Sequence, residues 1–115
     1  MIIYKIVSTS EWRIAEEKGT FDGAPVDLAD GFIHFSAADQ VKETAAKHFA
    51  GKGDLLLIGI DEKKLGPALK WEPSRGGALF PHLYDVLDLS AVVSRDPLPL
   101  GPDGAHLFPD LEAGA

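Results

Sequence analysis

The chain has 115 residues, 45% of them apolar, which suits one domain filling a single core without disulfides or a structural metal. Cysteine is absent, so disulfides, zinc–thiolate sites and cysteine nucleophiles are excluded, and a reducing, cytoplasmic compartment is expected. Eighteen acidic residues against eleven basic give a net charge of −7, which disfavours nucleic acid as a partner. No apolar run approaches the roughly 20 residues that span a bilayer, so no membrane partner is expected either.

Residues 2–7 form an apolar, β-rich run, too short to be a signal segment and interrupted by Lys5. Ser8 with Glu11 three positions on makes a capping box. It predicts a helix from Thr9 to about Lys18, with Trp12 and Ala15 on one face and Gly19 as its stop. Residues 20–30, with Gly23 and Pro25, read as a loop. Residues 31–35 alternate as a second strand, and Ser36 with Asp39 predicts a cap for a helix over residues 37–50, with Val41 and Ala45 on its buried stripe.

Residues 55–60 are the most apolar run and predict a central strand covered on both faces. Asp61 caps a single helical turn that ends at Gly66-Pro67. Residues 69–72 alternate as a half-exposed strand, 73–77 form a tight connection, and 78–84 return from it as a hairpin partner. Residues 91–93 make the last strand before Pro97, Pro99 and Pro102. Residues 1–99 are thus expected to form one domain, followed by a Pro/Gly-containing irregular tail over 100–115. Strands and helices alternate early and strands follow one another late, which predicts an α+β fold with a mixed, twisted sheet and about two main helices. That order argues against a doubly wound nucleotide fold, and since neither glycine-rich phosphate motif occurs, neither phosphate cradle can be invoked.

Histidine, the side chain that moves protons near neutral pH, directs the search for chemistry. His34 lies at the end of the second strand, and Ser36 at the predicted start of a helix, where free N–H groups favour an anion or a polarised carbonyl. Such a pair can hold ribose hydroxyls or an amide, or simply satisfy neighbouring backbone. His82 and Tyr84 share one face of an extended segment stiffened by Pro81 and can orient a substrate, or pack as a polar corner. Glu72 stands beside Trp71, whose ring raises a carboxyl pKa if the two are buried together, and is a candidate general base. Arg75 in the glycine-rich turn is a candidate clamp for a phosphate or carboxylate. His34, His82 and Glu72 are metal-ligand types, but no His-x-x-x-His or His-Glu-x-x-His spacing occurs and no metal is expected. No Gly-x-Ser-x-Gly elbow supports a serine hydrolase.

One pattern covers nearly the whole chain, from residue 2 to 99. It comprises Ile3-Tyr4-Lys5-Ile6, Trp12, Gly31-Phe32-Ile33-His34-Phe35-Ser36 with Gln40, residues 55–61, Leu65, Trp71-Glu72 and Phe80-Pro81-His82-Leu83-Tyr84. It resembles a small bacterial family of unknown function, domain of unknown function 952, which is in turn remotely similar to the ADP-ribosyltransferase superfamily. There a strand-borne His-x-Ser or His-x-Thr element grips the nicotinamide ribose and amide of NAD. His34-Phe35-Ser36 fits that element, although Phe35 stands where the superfamily has glycine. The resemblance implies an ADP-ribosyltransferase-like fold and a transferase-like enzyme using NAD or an ADP-ribose-type ligand as substrate. On this reading His34, Ser36 and Arg75 bind the ligand, and His82, Tyr84 and Glu72 assist at the ribose. The alternative is a non-catalytic module that binds a small molecule in the same cleft.

Overall fold

The computed structural model describes residues 1–111, and for Arg75 the backbone alone. In chain order the elements are β1 (Ile2–Ser8), α1 (Thr9–Lys18), β2 (Thr20–Phe21), α2 (Pro25–Asp30), β3 (Ile33–His34), β4 (Ser36–Ala37), α3 (Val41–His48), β5 (Leu55–Asp61), β6 (Leu69–Pro73), β7 (Leu79–Leu83), β8 (Leu87–Asp88) and β9 (Val92–Pro97). Short one-turn 3-10 helices join several of the later strands.

β1 is apolar on both sides of its pleat because both sides are covered. Ile3 and Val7 join Trp12, Ile58 and Ile60 in one core, while Ile2, Tyr4 and Ile6 join Val41, Ala45 and Leu57 in a second. Separating the two is a four-stranded sheet of order β4-β1-β5-β9. A three-stranded sheet, β3-β7-β6, and the β2-β8 pair complete the α+β fold. All these pairings are antiparallel. The strands therefore divide among three sheets where the sequence predicts one. The division happens at Phe35, whose N–H bonds the Pro81 carbonyl at 3.0 Å while its successor Ser36 pairs with Tyr4.

The first helix, the central strand and the hairpin of β6 with β7 stand where the sequence predicts them. Ser8 Oγ caps the helix by accepting from the Glu11 N–H at 3.2 Å, and it donates to Glu11 Oε1 at 2.7 Å, so the Glu11 side chain returns to the Ser8 hydroxyl where a capping box would take the Ser8 backbone N–H. Ser8→Ala is expected to cost about 1 kcal/mol in urea denaturation, and a loss within error of zero would show that the cap contributes nothing.

Three expectations are corrected. Residues 20–30 are not a loop: they hold β2 and α2, the latter opened by Pro25 in the first turn and by Asp27 accepting from the Ala24 N–H. Gly31 ends α2 in the left-handed region, φ 86°, and turns the chain into β3. The helix expected over 37–50 begins only at Val41, because Ser36 and Ala37 are used by β4 and Gln40 Oε1 takes the Ala37 N–H. The last strand runs through Pro97, a residue tolerated there because β9 is an edge strand.

Beyond it, the Leu107 N–H bonds the Pro99 carbonyl, and Phe108 and Leu111 pack on the second core. Residues 112–115, the end of the expected tail, lie outside the described residues. Among the described residues no helix is long and apolar enough to cross a membrane.

Candidate functional site

Alternation along the three-stranded sheet sorts its side chains by chemistry. Ile33, Leu69, Trp71 and Leu83 belong to the first core, so their neighbours Phe32, His34, Lys70, Glu72, His82 and Tyr84 take the opposite face. The register sets His34 directly across from His82 and Lys70 across from His82 on its other side. The two imidazoles, 48 positions apart in the chain, stand with ring centroids 5.4 Å apart in an edge-on arrangement. Phe32 stacks on His82 at 4.2 Å and meets the rings of His34 and Tyr84 at 4.6 and 5.1 Å.

Each imidazole is braced by a carboxylate. His82 is 6% exposed at its side chain, and its Nδ1 lies 2.9 Å from Glu72 Oε1, which also accepts from the Tyr84 hydroxyl at 2.7 Å. The carboxylate on Nδ1 favours the tautomer with the lone pair on Nε2, the arrangement of a base. These two bonds, first from Tyr84 and then from His82, lower the Glu72 carboxyl below its ordinary range, and the bond to Glu72 raises the Tyr84 phenol. The expectation of a raised Glu72 is therefore reversed. Its neighbour Trp71 points to the other side of the strand, where its indole N–H donates to Glu62.

The His34 brace is deeper. Nδ1 sits 2.7 Å from Asp27 Oδ1 and Nε2 2.9 Å from Asp30 Oδ2, so the ring donates to both only as the imidazolium. Asp27, 1% exposed at its side chain, also accepts from the Lys5 ammonium at 2.9 Å and from the N–H groups of Ala24 and His34 at 2.7 and 3.1 Å. Burial alone raises its pKa, but the His34 hydrogen bond, the Lys5 charge and the further donors outweigh that and hold it at about 2. For Lys5 burial outweighs the Asp27 carboxylate it bonds and the weaker pull of the Glu11 charge, and its ammonium is pushed down.

These braces open onto a cleft of about 570 Å³. His34, His82 and Ser36 line it, together with Lys5 and Asp30. Glu72 and Tyr84 do not; they reach the cleft only through His82. Ser36 is 4% exposed and its hydroxyl is bonded to Thr44 Oγ1 at 3.0 Å. Since α3 starts five residues after Ser36, the expected helix terminus at Ser36 is absent and lends it no positive dipole end. Arg75 sits in the turn between β6 and β7; its side chain lies outside what is described. Among the described residues no group of three His, Asp or Glu side chains is disposed to hold a metal ion.

Sequence reasoning missed Lys5, Asp27 and Asp30. The signal for the first was present, since a lysine inside a strand buried on both faces requires a carboxylate partner.

Residues 6–95 match the model of a family described as a protein of unknown function, DUF952. The chain is similar to the protein CC0527 from Caulobacter crescentus, whose crystal structure has a TM-score of 0.90 at 51% identity, covering 93% of this chain and 94% of that one. The solution structure of CC0527 gives a TM-score of 0.82 at 53% identity over 90% of each chain. No curated protein matches.

Proposed function

The chain belongs to the DUF952 family of proteins of unknown function, and we propose that its cleft takes an NAD- or ADP-ribose-type ligand and acts on the ribose as a transferase-like enzyme of ADP-ribosyltransferase-like fold. One observation carries the reading: His34 and His82, each held by a carboxylate, stand side by side on one wall of an open cleft of about 570 Å³, a size suited to a small ligand. His34, whose Nε2 is bonded to Asp30, sets that carboxylate on the cleft wall to accept from a ribose hydroxyl or an amide N–H. His82, with its Nε2 lone pair, accepts a proton from the incoming nucleophile. Loosening of the glycosidic bond builds positive charge on the ribose ring, and Asp30 is the carboxylate on the cleft wall nearest His34 that offsets it. Glu72 and Tyr84 act as positioning residues for His82, a change from the direct role expected of them.

The test is thermal denaturation with NAD or ADP-ribose. A rise in melting temperature is expected for the wild type. His34→Ala is expected to weaken binding about tenfold, ~1.4 kcal/mol, while Asp27 retains Lys5 and the backbone donors and the fold survives. Released nicotinamide reports turnover. The second reading, a non-catalytic binding module, is favoured by the engagement of Ser36 with Thr44 and of Glu72 with Tyr84. It predicts the thermal shift without nicotinamide release. No shift with either ligand removes both readings.

A further inference from the structure

Lys5 alternates with Ile3 and Val7 along β1, so its side chain turns to the side of the first core. That side chain is 7% exposed, and the residue lines the cleft. The amine lies 2.9 Å from each oxygen of Asp27, and no other described residue bonds it. An ammonium carries three N–H donors. The two carboxylate oxygens account for two of them, and a buried donor without an acceptor is destabilising.

Asp27 depends on Lys5 less than Lys5 depends on Asp27. Its oxygens also accept from His34 Nδ1 and from the Ala24 and His34 N–H groups, so the carboxylate stays ionised and goes on requiring a positive partner. A nitrogen that keeps one positive charge but sheds surplus N–H groups suits this place better than an ammonium does. A protonated imine has one charge and one N–H. We infer that Lys5 captures the aldehyde of a small hydroxylated ligand, the open-chain form of a reducing sugar, as a protonated imine in the cleft.

The step balances without a further reagent. The Nζ lone pair forms the N–C bond, the C=O π pair moves to oxygen, and that oxygen leaves as water with two of the three ammonium protons. The last proton and the positive charge stay on nitrogen against Asp27. Burial pushes the ammonium down, which raises the share of free amine that begins the attack. On the cleft wall His82 carries protons between nitrogen and oxygen, and the Asp30 carboxylate accepts from a ligand hydroxyl. An aldehyde fits better than a ketone, because an amine so enclosed leaves little room for a second substituent on the carbon. Free sugars and the reducing ribose of ADP-ribose share this carbonyl, whereas both anomeric carbons of NAD are tied up as glycosides. The inference rests on reading the cleft as a ligand site and does not require NAD as its substrate.

Reductive trapping tests it. The full chain is incubated near neutral pH with cyanoborohydride and either glyceraldehyde or ADP-ribose, and the modified lysines are located by peptide mass mapping. Lys5 is expected to be labelled at least about tenfold faster than the exposed Lys63 and Lys64. The probe that labels it at the lower concentration identifies the source, a free sugar or a nucleotide-borne ribose. Lys5→Met is expected to lose the fast labelling and keep the slow labelling of the exposed lysines; the mapping is read on the wild type and stands whether or not this variant folds. Labelling confined to exposed lysines, or Lys5 no faster than they are with either probe, overturns the inference. Stabilisation by NAD with Lys5 unlabelled sinks this inference and spares the proposed function; fast labelling of Lys5 by glyceraldehyde without any stabilisation by NAD or ADP-ribose does the reverse.

Discussion

Asp27→Ala is expected to destabilise the chain by about 3–5 kcal/mol, the range for stranding one member of a buried ion pair. The substitution removes the counter-charge of an ammonium whose side chain is 7% exposed, and with it the acceptor for two backbone N–H groups and for His34 Nδ1. Lys5→Met is the informative companion. It keeps the length of the side chain inside β1 and leaves Asp27 with His34 and its two backbone donors, so its cost is expected to be well under half as large. Denaturant unfolding of the three proteins gives the order directly. An Asp27→Ala cost below about 1 kcal/mol, or a larger one for Lys5→Met, contradicts the account of the pair as a charge held by many donors against one held by few.

What the sequence made legible here is what depends on local pattern. The Ser8 cap of the first helix, the apolar run of β5 and the two alternating arms of the β6–β7 hairpin each carry their signal within a few residues. The juxtaposition of His34 with His82 was legible only as a family resemblance, because no local rule sets the register of β3 against β7.

The misses have their own physics. Helix α2 has six residues, too few for an apolar stripe, and the residue it buries is Asp27. Ser36 and Asp39 have the spacing of a cap, yet β1 offered Ser36 a strand partner and the Gln40 side chain settled the turn instead, reaching also to the Leu79 carbonyl at 2.7 Å. The environment of Glu72 was misjudged because adjacency in sequence to Trp71 means opposite faces in a strand. Its true neighbours are His82 in β7 and Tyr84 just past the end of that strand, two and four residues beyond its register partner Phe80.

The same carboxylate network sets the response to acid. Asp27 ionises at about 2 in the folded chain against an ordinary 3.8, so the folded state binds this proton less readily than the open chain. Its contribution, about 2.5 kcal/mol, is therefore complete above about pH 4 and disappears as the pH falls through about 2. Three further carboxylates, Asp22 and Asp88 exposed and Glu72 half-buried, are lowered as well and act in the same sense: Asp22 through Lys18, Glu72 through Tyr84 and His82, and Asp88 through the Ser90 N–H. Solvent screening leaves each of them a small share.

Unfolding free energies measured from about pH 6 down to about pH 2 are thus expected to fall by about 2 kcal/mol or more in the wild type. Asp27→Asn, less stable at the start, removes the titrating group and is expected to show a limb flatter by most of that amount. If the two proteins lose stability in parallel, the acid sensitivity resides elsewhere, and the buried chain from Lys5 through Asp27 to His34 is not the electrostatic anchor of the cleft.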